Sequence, residues 1–136
     1  MDFLKKMILG MAVLLSLSLL LVTGASAQTP LEIKKADKLF SGFWIDRRTT
    51  RHLSINIEKD GYVLINDWTS KYQKQESCDA YKAFIKGAKL IMPVDNEHHA
   101  PYAEMQILNK RLVYITKYKD IEGKQIIEKE AFVRIK

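Results

Sequence analysis

The run Asp95-Asn96-Glu97-His98-His99 places two imidazoles and two carboxylates in one short stretch. Imidazole nitrogens and carboxylate oxygens are ligands for zinc or copper, which makes Asp95, His98 and His99 the candidate metal set. Adjacent histidines diverge in an extended segment, and no cysteine or third histidine lies near in sequence. A solvated polar loop is therefore the preferred reading, with His52 able to join only if the fold brings it close. Arg47, Arg48 and Arg51 surround one expected turn and form the densest basic group, a candidate anion or partner patch. Tyr62, Trp68, Tyr81, Tyr102 and Tyr114, with Tyr72 and Tyr118, each join an apolar body to a polar tip and are the candidate ligand contacts. The ordinary preference of strands for aromatics explains them more simply. The chain has no Ser-His-Asp signature, glycine-rich phosphate loop or recognisable carboxylate pair, so a protein without catalysis or cofactor is expected.

Strand-like segments must position these groups. Leu53, Ile55 and Ile57 alternate with Ser54, Asn56 and Glu58 in the clearest period-two pattern of the chain. Turn residues divide residues 43–135 into eight such runs: 43–48, 52–59, 62–68, 78–86, 88–92, 102–108, 111–119 and 125–135. The third run has the option of extending to Tyr72. Lys59-Asp60-Gly61 and Asn109-Lys110 suit tight hairpins. Thr29-Pro30 is a cap and first turn for a helix over residues 31–39, with Leu31, Ile33, Ala36, Leu39 and Phe40 as its apolar stripe. The expected fold is all-β: an eight-stranded antiparallel up-and-down meander closed into a barrel, preceded by that helix. An open sandwich or a curved sheet is the alternative.

The N-terminus has its own signature. Lys5 and Lys6 precede an apolar run from Met7 to Val22, and Ala25-Ser26-Ala27 is a small-residue cleavage site. The run is shorter than the roughly 20 residues that span a bilayer. A secretory signal over residues 1–27 is expected, giving a periplasmic or extracellular mature protein that does not span the membrane. Removing two lysines and one aspartate with it lowers the formal charge from +6 to +5. Acidic residues interleave the basic ones, which argues against a nucleic-acid stripe. Cys78 is the single cysteine, so no internal disulfide forms; a thiol buried in the fourth strand is expected.

Gly42-Phe43-Trp44 at the start of an eight-strand meander resembles the lipocalin and calycin architecture, whose first strand carries Gly-x-Trp. The chain is shorter than a true lipocalin and lacks its C-terminal helix and disulfide. It is closer to the short lipocalin-like domains of secreted bacterial proteins, over residues 41–136. The resemblance implies structural roles for Gly42 and Trp44, and an arginine late in the last strand, Arg134 or alternatively Arg111, packed over the tryptophan. It also implies a binding module and names no ligand. The leading expectation is a noncatalytic exported module for a small apolar molecule or a cell-envelope component. The alternative is an interaction protein that docks through the basic turn or an open strand edge, with its interior simply packed. Oligomeric state is left open.

Overall fold

The computed structural model describes residues 28–135; the secretory signal expected over residues 1–27 lies outside them. A helix, α1 (Pro30–Phe40), precedes eight strands: β1 (Gly42–Asp46), β2 (Arg51–Ile57), β3 (Val63–Thr69), β4 (Asp79–Lys86), β5 (Lys89–Met92), β6 (Tyr102–Leu108), β7 (Arg111–Lys119) and β8 (Gln125–Arg134). Each strand pairs antiparallel with the next, and β1 pairs with β8 to close the barrel. The expected fold class is the observed one.

Alternation decides the inside. Trp44, Leu53, Ile55, Val63, Ile65, Ala83, Ile85, Leu90, Met105, Leu112 and Phe132 are buried in one core cluster, joined from the helix by Ala36 and Phe40. Helix α1 forms because its first turn is fully capped. The Thr29 hydroxyl accepts from the Glu32 amide, the Glu32 carboxylate accepts from the Thr29 amide, and Pro30 takes a position needing no N–H. Its stripe is narrower than expected: Leu31 and Leu39 are exposed, while Ile33, Ala36 and Phe40 face the barrel. A helix of three turns needs only that narrow contact to sit over one end of the barrel.

The helix C-terminus is locked to the barrel seam. Carbonyls at the end of a helix lack intrahelical donors. Here the Phe40 carbonyl accepts from the Trp44 indole at 2.8 Å, and the Leu39 and Ser41 carbonyls accept from the Arg134 guanidinium at 2.7 and 2.9 Å. Arg134 also lies 4.5 Å from the Trp44 ring centre. Arg134, not Arg111, therefore covers the tryptophan. Gly42 permits the sharp entry into β1, since its φ of 125° lies where side chains are strained.

Several boundaries differ from expectation. β1 ends at Asp46, and Arg47 to Thr50 form the turn, so Arg51 opens β2. β3 stops at Thr69 without reaching Tyr72, because a turn with Tyr72 and Gln73 amides on the Thr69 carbonyl ends it. Cys78 is half-buried and precedes β4, at the end of a short 3-10 turn over Gln75–Ser77. Its amide donates to the Gln75 carbonyl at 3.1 Å, which holds it in that turn ahead of the sheet.

The seam is short. Only Trp44↔Arg134 and Ile45↔Val133 are registered between β1 and β8, against eight pairs between β7 and β8. β1 has five residues and β8 has ten, so among the described residues most of β8 has a strand neighbour on one side only.

Candidate functional site

At the end of the barrel away from α1, the inward positions change from apolar to charged. One step of two residues along a strand makes the change: Trp44 to Asp46, Leu53 to Arg51, Ile65 to Asp67, Ala83 to Tyr81, Leu112 to Tyr114 and Phe132 to Glu130. Arg51 stands at the centre of this set. Its guanidinium donates to Asp67 through Nε at 3.0 Å and Nη2 at 2.6 Å, and to Glu130 through Nη1 at 3.0 Å. It also packs 4.7 Å from the Tyr114 ring centre. The planar guanidinium suits this role because it can serve two carboxylates and a ring face at once. The Tyr81 hydroxyl donates to Asp67.

Beside this cluster lie two more carboxyls. Asp46 is buried and accepts from the Arg48 amide at 3.0 Å. Burial pushes its carboxyl up, but the Arg48 backbone and side chain outweigh that and hold it low. Glu130 moves the other way. Burial holds its carboxyl above the ordinary range, with Arg51 opposing and the Asp46 charge reinforcing the rise. Among the described residues, no hydrogen-bond partner reaches Asp46 Oδ2 or Glu130 Oε2. The two carboxyls are electrostatically coupled, with Glu130 raised and Asp46 lowered, so a proton shared between them is held more readily on Glu130. A cavity of about 420 Å³ opens here, walled by Asp46, Arg51, Tyr114, Thr116, Glu128 and Glu130 among others.

The expected site residues do not share one place. Tyr81 and Tyr114 point into the barrel. Tyr62 stands on the outside with Lys82 over its ring, and Trp68 stacks outside on His52 at 5.0 Å. Tyr102 is outside too, donating to a buried Glu104 that also draws Lys89 and Lys117. The five aromatics therefore line no common cavity. Arg51 leaves the expected basic patch for the interior, while Arg47 and Arg48 remain exposed in the turn. In the 95–99 loop, Asp95 and His98 meet at 2.8 Å with Glu97 beside them; His99 is not in this group, and His52 is engaged with Trp68 and the Thr50 carbonyl. Glu97 and His98 are exposed and Asp95 is half-buried, and their contacts are those of a self-contained turn.

Sequence reasoning missed Asp67 and Glu130. Their parity was the available signal: Asp67 shares a face with Val63 and Ile65, Glu130 with Phe132, and Arg51 with Leu53. Charges at inward positions of several strands point to one shared network.

Among the described residues no helix is long and apolar enough to cross a membrane. No protein-family model, curated protein or solved structure matches the chain.

Proposed function

We propose that the protein is a noncatalytic, exported, lipocalin-like interaction module that docks on a partner in the cell envelope through the open end of its barrel. One observation carries this reading: the inward apolar positions are packed, and the unsatisfied polar surface gathers where the short seam meets the Arg47–Thr50 turn. Phe40, Leu53, Ile65, Leu90, Met105, Leu112 and Phe132 are fully buried against one another. A small apolar ligand, the leading expectation from sequence, would have to displace them. Arg47 and Arg111 make no ion pair among the described residues, and both are exposed at the seam. The lipocalin-like part of the reading is supported by Arg134 lying over Trp44 at the helix end.

The test is site-specific photocrosslinking in the native host, with the reactive group at Arg47 and, as control, at Lys34 on the exposed face of α1. One discrete adduct from position 47, lost when Arg111 is changed to Glu and absent from position 34, is expected. Equal labelling from both positions would remove the docking reading.

The cavity of about 420 Å³ favours a second reading, in which the mouth holds a small polar molecule rich in hydrogen-bond donors. Native mass spectrometry would show a bound mass that disappears in Thr116→Trp, which fills the cavity. A protein free of such a mass would leave the docking reading alone.

A further inference from the structure

We propose that the open edge of β8 receives an extended acidic segment of the partner as an added strand, antiparallel to β8 and in line with β1. This rests on the docking reading above and names the chemistry of the partner. In an antiparallel strand the backbone groups of alternate residues face the same neighbour. The Ile135 amide donates to Phe43 across the seam at 2.9 Å, and the β7–β8 register runs without interruption. Ile127, Lys129 and Ala131 therefore turn their N–H and C=O groups to the β1 side, where no strand is registered with them among the described residues. A bare edge of this kind is a template for another chain.

Both faces of the gap have defined chemistry. Outside, Ile45, Ala131 and Val133 form an apolar floor of a cavity of about 390 Å³, rimmed by Arg47, Arg48 and Arg111. Lys129 is exposed farther along the same edge. This basic rim is complementary to aspartate or glutamate side chains pointing outward from an added strand. Inside, the gap opens on Asp46, Glu128, Glu130 and Thr116, oxygen acceptors that suit hydroxyl-bearing side chains. Because side chains alternate along a strand, the fitting partner reads acid, hydroxyl, acid, hydroxyl. A second copy of this chain does not match the pattern. Pairing β8 with itself about Glu128 would set that carboxylate against its own twin, and like charges directly opposite destabilise.

The probe is a dye-labelled alternating Thr-Glu peptide of about ten residues, slightly longer than the open part of β8. Its fluorescence anisotropy is followed against the purified protein, with an alternating Thr-Lys peptide as the charge control. Binding of Thr-Glu and none of Thr-Lys is expected. Two variants are expected to weaken it by about tenfold or more each: Ile127→Pro, which removes an edge N–H, and Arg47→Glu with Arg111→Glu, which reverses the rim. If Ile127→Pro disturbs the barrel, a Thr-Glu peptide N-methylated on alternate residues tests the same backbone bonds on the folded protein. No binding to the parent, or binding indifferent to proline and N-methylation alike, overturns strand addition. If the crosslink from position 47 persists in that case, the docking reading stands without it; if the crosslink is absent too, both fall.

Discussion

The two halves of this barrel are built from the same strands and held together by different physics. Near α1, the inward side chains are Trp44, Leu53, Ile65, Leu112 and Phe132, none more than 2% exposed. One pleat farther on, the same strands present Asp46, Arg51, Asp67, Tyr114 and Glu130. The first half gains stability from non-directional burial, which tolerates any well-packed apolar replacement. The second depends on every charge keeping its partner, so it specifies geometry at a desolvation cost that burial elsewhere must offset. A barrel this small can carry a charged half because its other half is sealed by a helix whose own carbonyls are satisfied from the barrel wall.

The strongest way to break the comparison is at the sealed end. Trp44→Ala removes the largest fully buried side chain and the donor to Phe40. A loss of about 3–5 kcal/mol is expected by urea unfolding. A variant as stable as the parent would mean that the packed half does not carry the fold. Next comes Arg51→Met, which keeps length and removes charge. It strands Asp67 and Glu130, whose side chains are 12% and 22% exposed; allowing for that partial solvation, a loss of about 2–3 kcal/mol is expected. Adding Asp67→Asn and Glu130→Gln to it should recover much of that loss. If the triple variant is less stable than Arg51→Met, the cost of stranded charge is not what the mouth is balancing.

The smallest effect is one of pH. Glu130 is held above its ordinary carboxyl value in the folded state, so the native protein binds its proton more tightly than the unfolded chain does. Its contribution is complete below about pH 4.5, the ordinary glutamate value, and is lost as pH rises through the folded value. Asp46, held low, works in the opposite sense: its contribution is present above 3.8 and is lost as pH falls. Glu130→Gln should therefore gain on the parent as pH rises from the carboxyl range toward neutrality. A stability difference that stays flat with pH would show that Glu130 titrates normally.

The sealed half was legible in the sequence and the mouth was not. Leu53, Ile55 and Ile57 announce β2 by their own alternation, and Thr29-Pro30 marks the helix start locally. Trp44 and Arg134 are separated by most of the chain, yet each sits in a recognisable place, at the start of the first strand and the end of the last. Arg51 is different. Beside Arg47 and Arg48 it looks like one more solvated turn residue, and only the meeting of β3 and β8 around it supplies Asp67 and Glu130. A charged residue at an inward position is explained by partners on other strands, and one sequence does not pair strands for it. Cys78 escaped for a related reason: one residue of slack before β4, set by the 3-10 turn, decides whether the thiol joins the sheet.

The brevity of the seam also bears on how the chain finds its fold. Seven of the eight strand pairings join neighbours in sequence, whereas the Arg134–Ser41 contact closes a loop of 93 residues. Local hairpins can form early, but that long closure costs chain entropy before it returns any contact. With two registered pairs to reward it, the seam is expected to close last, after the transition state for folding. Arg134→Ala should then steepen loss of the native state by raising the unfolding rate, with the refolding rate nearly unchanged. A slowed refolding arm would instead place the seam in the nucleus. Closing last and opening first, the two-pair seam makes the barrel a ring with a clasp, and the order of events in folding is written in the length of its first strand.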